Sequence, residues 1–97
     1  MPTYVATIRF TQQGLSAIQD TAKRAASFKN AAKKLGVKVN ATYWTLGRFD
    51  GLLIMDAPDD ESVTAAMLQL SQQGNVTTQT VRAFTASEIE QVVSRLK

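Results

Sequence analysis

The 97-residue sequence contains no cysteine and no histidine. The first absence removes disulfides, thiolate nucleophiles and cysteine-ligated metals. The second removes the commonest general base and the commonest metal ligand. Long apolar runs are also missing: none exceeds four residues, Leu52–Met55 being one, far short of the roughly 20 needed to span a bilayer. Met1-Pro2-Thr3 offers neither the basic start nor the apolar stretch of a signal peptide. The expectation is a soluble, cytoplasmic protein without metal, bound cofactor or membrane partner. What remains is ordinary globular material, 44% hydrophobic and 20% charged. That length suits one domain over residues 1–97 sharing one core.

Charge is unevenly placed. Up to Phe49 there are eight basic residues and one acid, Asp20; from Asp50 onward there are three basic residues and seven acids. A basic half can attract anions, but the lysines sit where a helix needs a wet outer face, which accounts for them without a ligand.

The hydrophobic spacing predicts the elements. Thr3–Phe10 alternates as a strand, with Tyr4, Ala6, Ile8 and Phe10 on one face. Thr11-Gln12-Gln13-Gly14 reads as a turn. Leu15, Ile18, Ala22, Ala25, Phe28, Ala32 and Leu35 then recur every three or four residues, a helical stripe in which Asp20 or Thr21 caps a restart after a break. Lys33, Lys34 and Gly36 mark its end. Val37–Leu46 and Gly51–Ala57 read as strands joined by Gly47-Arg48-Phe49-Asp50, a connection so short that the pair must be antiparallel. Asp59, Asp60 and Glu61 open a second helix carrying Val63, Ala66, Met67 and Leu70. Asn75–Phe84 is a fourth strand, and Thr85-Ala86-Ser87-Glu88 is a capping box before a terminal helix with Ile89, Val92, Val93 and Leu96. The order βαββαβ plus a final helix is the α+β, ferredoxin-like arrangement with a four-stranded antiparallel sheet.

Two helices cover one side of such a sheet, and a lone molecule should keep the other side polar. Pairing Leu46 with Gly51 places Trp44, Leu46, Leu53 and Met55 on one face and Val39, Ala41, Tyr43, Leu52 and Ile54 on the other. Both faces of the third strand are then aliphatic, so both need a cover. A second copy in a twofold homodimer is the simplest one; the terminal helix folding back within one chain is the alternative.

The run Tyr43-Trp44-Thr45-Leu46-Gly47-Arg48-Phe49-Asp50, followed by Ala57-Pro58-Asp59-Asp60, resembles the GYD domain family. So do Phe10-Thr11-Gln12-Gln13-Gly14, Lys23-Arg24, Gly74-Asn75-Val76 and Arg82-Ala83-Phe84-Thr85. The resemblance implies a dimeric α/β-barrel on the ferredoxin-like plan and brings no established activity with it. The family's Gly-x-Tyr-Asp stands here as Gly47-Arg48-Phe49-Asp50, without the tyrosine hydroxyl. Similar Gly-x-x-Asp hairpins occur in the ligand-binding domains of Lrp/AsnC-type regulators, although this chain lacks a helix-turn-helix partner.

Four residues form the candidate ligand site: Arg9, Trp44, Asp50 and Arg82. Asp50 either bonds nearby turn N–H groups or faces a pocket at the barrel mouth. Trp44 and its neighbour Tyr43 must point to opposite faces; Trp44 is a platform for a planar ligand or simply packs. Arg9 and Arg82 each need a carboxylate, Asp50 or Asp56, unless they meet an anionic ligand or solvent. Nucleic acid is excluded as a partner by Gly51-Leu52-Leu53-Ile54-Met55, since RNA-recognition modules stack bases on aromatics of that strand. The leading expectation is a non-enzymatic assembly or small-ligand-binding module. The alternative is a cofactor-independent enzyme, monooxygenase- or isomerase-like, for a small anionic or aromatic molecule.

Overall fold

The computed structural model describes residues 1–96. Along the chain lie β1 (Thr3–Phe10), α1 (Gln12–Ser16), a 3-10 turn (Ile18–Asp20), α2 (Thr21–Lys34), β2 (Lys38–Trp44), β3 (Gly51–Asp56), α3 (Asp60–Gln72), β4 (Val76–Ala83) and α4 (Ala86–Val93). The strands form one antiparallel sheet in the order β2-β3-β1-β4. This is the α+β, ferredoxin-like plan, with helices over one face.

Thr11 to Gly14 is not a plain turn. Thr11 is extended and its hydroxyl accepts from the Gly14 N–H, so it caps α1. Nor does Asp20 cap α2, as its side chain accepts no capping bond there. The break between α1 and α2 is instead held by Arg24, whose guanidinium donates to the carbonyls of Ala17 at 2.6 Å and Gly14 at 3.3 Å. The Ala17 carbonyl also accepts from the Asp20 N–H at 3.1 Å, and Gly14 lies in the last turn of α1, where carbonyls lack helical partners. The other ends form as the residue pattern predicts. Gly36 lies in the left-handed region after α2, Asp59 accepts from the Ser62 N–H at 2.8 Å, and Thr85 and Glu88 complete a reciprocal capping box.

The core lies between sheet and helices. Tyr4 and Ala6 of β1, Leu53 and Met55 of β3, and Val39 of β2 meet Phe28 and Ala32 of α2 and Val63, Ala66 and Met67 of α3. Met55 has no exposed surface, so truncating it to alanine should cost about 2–5 kcal/mol.

The β2–β3 register differs from the expected one in two ways. Trp44, not Leu46, lies opposite Gly51. A slip of two residues keeps every side chain on its face, but it leaves Leu46 fully exposed in the loop. The second difference is a bulge between Val39 and Ala41. One extra residue, Asn40, reverses the alternation. Val39 therefore lies opposite Met55 and is buried under the helices, while Ala41 lies opposite Ile54 on the other face.

That other face carries Val5, Ala41, Tyr43, Leu52, Ile54 and Val81. Tyr43 and Val81 are 56% and 59% exposed. The terminal helix does not fold back over them: no residue of α4 is buried, and Ile89, Val92, Val93 and Leu96 all face solvent. The molecule is accordingly drawn out, 53 × 31 × 17 Å, with a radius of gyration of 14.7 Å against about 12.5 Å for a compact chain of this length. Among the described residues no helix is long and apolar enough to cross a membrane.

Candidate functional site

The hairpin between β2 and β3 is shaped by its own residues. Gly47 has φ +111°, a conformation that disfavours any side chain. The Thr45 hydroxyl donates to the Phe49 carbonyl at 2.6 Å, and the Thr45 N–H donates to the Asp50 carbonyl at 2.9 Å. Asp50 then fastens the loop to β1. Its Oδ2 accepts from the Phe10 N–H at 2.8 Å, and its N–H donates to the Ile8 carbonyl at 2.7 Å. The aspartate thus continues the β1–β3 ladder past the last paired residue, where a strand would otherwise leave a donor unmet.

Trp44 lies on the helix-covered face and donates from Nε1 to the Thr21 hydroxyl at 3.0 Å, tying the end of β2 to the start of α2. Between these elements is a small cavity of about 60 Å³ lined by Phe10, Arg24, Phe28, Trp44 and Asp50, among others. Two water molecules would fill it. The wall is mostly aromatic and aliphatic, with the Asp50 carboxylate and Arg24 guanidinium as its charges. Both charges are engaged by backbone groups.

The same end of the molecule gathers several sequence segments. The Thr11 hydroxyl donates to the Gly74 carbonyl at 2.6 Å, and the Thr11 N–H to the Asn75 carbonyl at 3.0 Å. The Gln13 amide donates to the Gln73 carbonyl at 2.9 Å and to Asn75 Oδ1 at 3.0 Å. Gly14 passes so close to Asn75 that a Cβ there would sit 2.1 Å from its carbonyl oxygen. Phe10–Gly14, Arg24, Trp44–Asp50 and Gly74–Val76 therefore form one bonded cluster around the cavity.

Of the four candidate residues, Trp44 and Asp50 share this cavity, and Arg9 and Arg82 line others. Arg9 is exposed on the face away from the helices, in a groove with Arg48 and Phe49. Neither arginine takes Asp50 or Asp56 as its counterion among the described residues. Asp56 instead accepts from the Asn40 amide at 2.9 Å and the Thr3 hydroxyl at 3.1 Å, which hold its carboxyl below its usual range. Arg82 pairs with Glu88 at 3.3 Å, lies 4.3 Å above the Phe84 ring, and donates to the carbonyls of Thr3 and Ala83. It is the clasp between β4 and α4. Beside it Tyr4 donates to Asp60 at 2.5 Å, a bond that raises the phenol's pKa by favouring its protonated form.

Residue pattern alone does not single out Arg24, Gln13 and Asn75 as site residues, although all three lie in the family-like segments. Their partners, backbone atoms and each other's side chains, lie about ten and sixty residues away in sequence, which no local pattern discloses.

A family model described as GYD domain matches residues 4–93 of the chain. A Thermus thermophilus protein named "Glutamine synthetase and cystathionine beta-lyase binding protein" is 30% identical over 98 residues, covering the whole of both chains. A crystal structure of a Thermus thermophilus protein superposes with a TM-score of 0.58 at 23% identity, over 89% of this chain and 96% of that one. An AsnC family transcriptional regulator from Agrobacterium tumefaciens superposes with a TM-score of 0.55 at 17% identity, over 87% of this chain and 50% of that one. At these identities the two structures speak to the fold alone.

Proposed function

The chain belongs to the GYD domain family, and from that premise we propose that it is a non-catalytic protein-binding module, a single domain acting in the cytoplasm. It pairs with itself through the helix-free sheet face, closing a dimeric α/β-barrel, and the pair engages a protein partner. The observation that carries this reading is the row Val5, Tyr43, Leu52, Ile54 and Val81 on a face that no helix covers. Apolar surface of this kind is stabilised by burial at about 25 cal/mol per Å². The relative named for binding glutamine synthetase and cystathionine beta-lyase makes those two enzymes the first partners to try.

Sedimentation equilibrium at micromolar concentration tests the pairing. We expect a wild-type dimer. Ile54→Lys, which places an unpaired charge in the interface, should weaken it about 100-fold or more. Leu53→Lys should unfold the chain, since Leu53 lies in the core. A wild-type monomer overturns the reading. Capture of either enzyme by the dimer, lost in Ile54→Lys, tests the partner step; capture of neither removes these two candidates.

A second reading concerns the cavity at Trp44 and Asp50. Arg24 beside the aromatic wall supports a small anionic or aromatic ligand there, and Asp50 as base supports the enzymatic version of the same idea. The volume of about 60 Å³ is roughly a fifth of the lower limit for ligand pockets, near 300 Å³. Binding would therefore require α2 to withdraw from Trp44. Thermal-shift screening with metabolite pools should then show a shift that Trp44→Ala abolishes; no shift in any pool retires this reading.

A further inference from the structure

We propose that α4 is an exchanged arm: in the homodimer, α4 of one copy lies in a groove of the second copy, at the α2–β2 junction. The inference rests on the pairing of open sheet faces proposed above and specifies what else that pairing requires.

Three observations carry it. First, α4 has an amphipathic stripe with no cover. Ile89, Val92, Val93 and Leu96 fall at spacings of three and four, all are exposed, and no residue of α4 is buried. An eight-residue helix without packing is marginal in water. Yet its start is fixed by the Thr85–Glu88 capping box and by the Arg82–Glu88 ion pair, so the stripe is presented in a set direction.

Second, the stripe begins where the open face ends: α4 starts at Ala86, just past Ala83 at the end of edge strand β4, so a second copy seated on that face comes within reach of it.

Third, the receiving groove matches in charge. Val37 and Val39 are its buried floor, and Lys29, Lys33 and Lys38 line its sides. Glu90 flanks the α4 stripe on one side; Glu88, on the other, is held by Arg82 and the Thr85 N–H. The placement follows from the register. Ala83 and Lys38 lie at the same end of the sheet, on opposite edges, level with Thr3 and Asp56. A twofold axis along the strands sets β4 of one copy over β2 of the other and keeps those ends together. The root of α4 then stands beside the second copy's lysine-sided groove.

Because the protein has no cysteine, single engineered thiols give a clean test. Chains carrying Val92→Cys are mixed with chains carrying Lys29→Cys, in the groove wall, and oxidised; in parallel, sedimentation equilibrium is run on the full chain, on Val92→Asp and on Glu90→Lys with and without Lys33→Glu. We expect a mixed disulfide dimer, a dissociation constant raised tenfold or more by Val92→Asp, and a weakening by Glu90→Lys that Lys33→Glu reverses. Val92 is exposed in the single chain, so an unchanged far-ultraviolet circular dichroism melt confirms that its variant folds. A dimer with no mixed disulfide and an unchanged dissociation constant in Val92→Asp overturns the arm and leaves the face-to-face pairing standing. The same dimer with enzyme capture lost in Val92→Asp assigns the stripe to the enzyme and also overturns the exchange. A wild-type monomer overturns the pairing itself.

Discussion

Asp50 shows how one side chain can look like a catalytic candidate and act as a fastener. Its carboxylate receives a backbone N–H from β1, so Asp50→Ala should lower stability by about 1–3 kcal/mol. Asp50→Asn, which keeps an acceptor, should retain most of it; urea denaturation separates the two. Gly14→Ala should be at least as damaging, about 1–3 kcal/mol, because the new methyl meets the Asn75 carbonyl rather than space. The sequence made Asp50 and Trp44 conspicuous, and they do line one cavity. It could not show that Arg82 clasps α4 or that Arg9 has no charge partner among the described residues, because alternation gives a residue's face and not the neighbour across the ladder.

Among the elements, the strands, the two long helices and the capping box were legible, since each is set by spacing or by residues a few positions apart. Two features were not. The Asn40 bulge inverts a strand without any glycine or proline to announce it, and the α1–α2 break, although expected, is held by Arg24 reaching carbonyls seven and ten residues back rather than by an Asp20 cap. At this scale Thr85→Ala is informative. Loss of a helix cap ordinarily costs about 1 kcal/mol, but α4 contributes no residue to the core. In dilute protein the variant should therefore lose helical signal and amide protection in residues 86–93 while the global urea midpoint stays put. Hydrogen exchange and a urea titration on the same sample check both halves.

For the whole molecule, the titrating groups that fold-specific bonds perturb set the pH limits of stability. Backbone and side-chain donors hold Asp56, Asp59 and Glu88 below their ordinary values. Their contribution is complete above about pH 4 to 5 and is lost as pH falls through the lowered folded values. Tyr4 is shifted up by its bond to Asp60, so its contribution is complete below about pH 10 and fades as pH rises through the raised value. Thermal melts between pH 2 and 11 should show a plateau with losses at both ends, and Asp56→Asn should flatten part of the acid limb. With no histidine in the chain, no step is expected near pH 6 to 7.

The uncovered sheet face flanked by the edge strands β2 and β4 also governs how the protein fares when scarce. A newly made copy without a mate presents oily side chains next to open backbone, the form that chaperones hold and proteases remove. Under the proposed pairing only unmated copies would be cleared, so the cellular level of the protein should rise more steeply than in proportion as its synthesis increases.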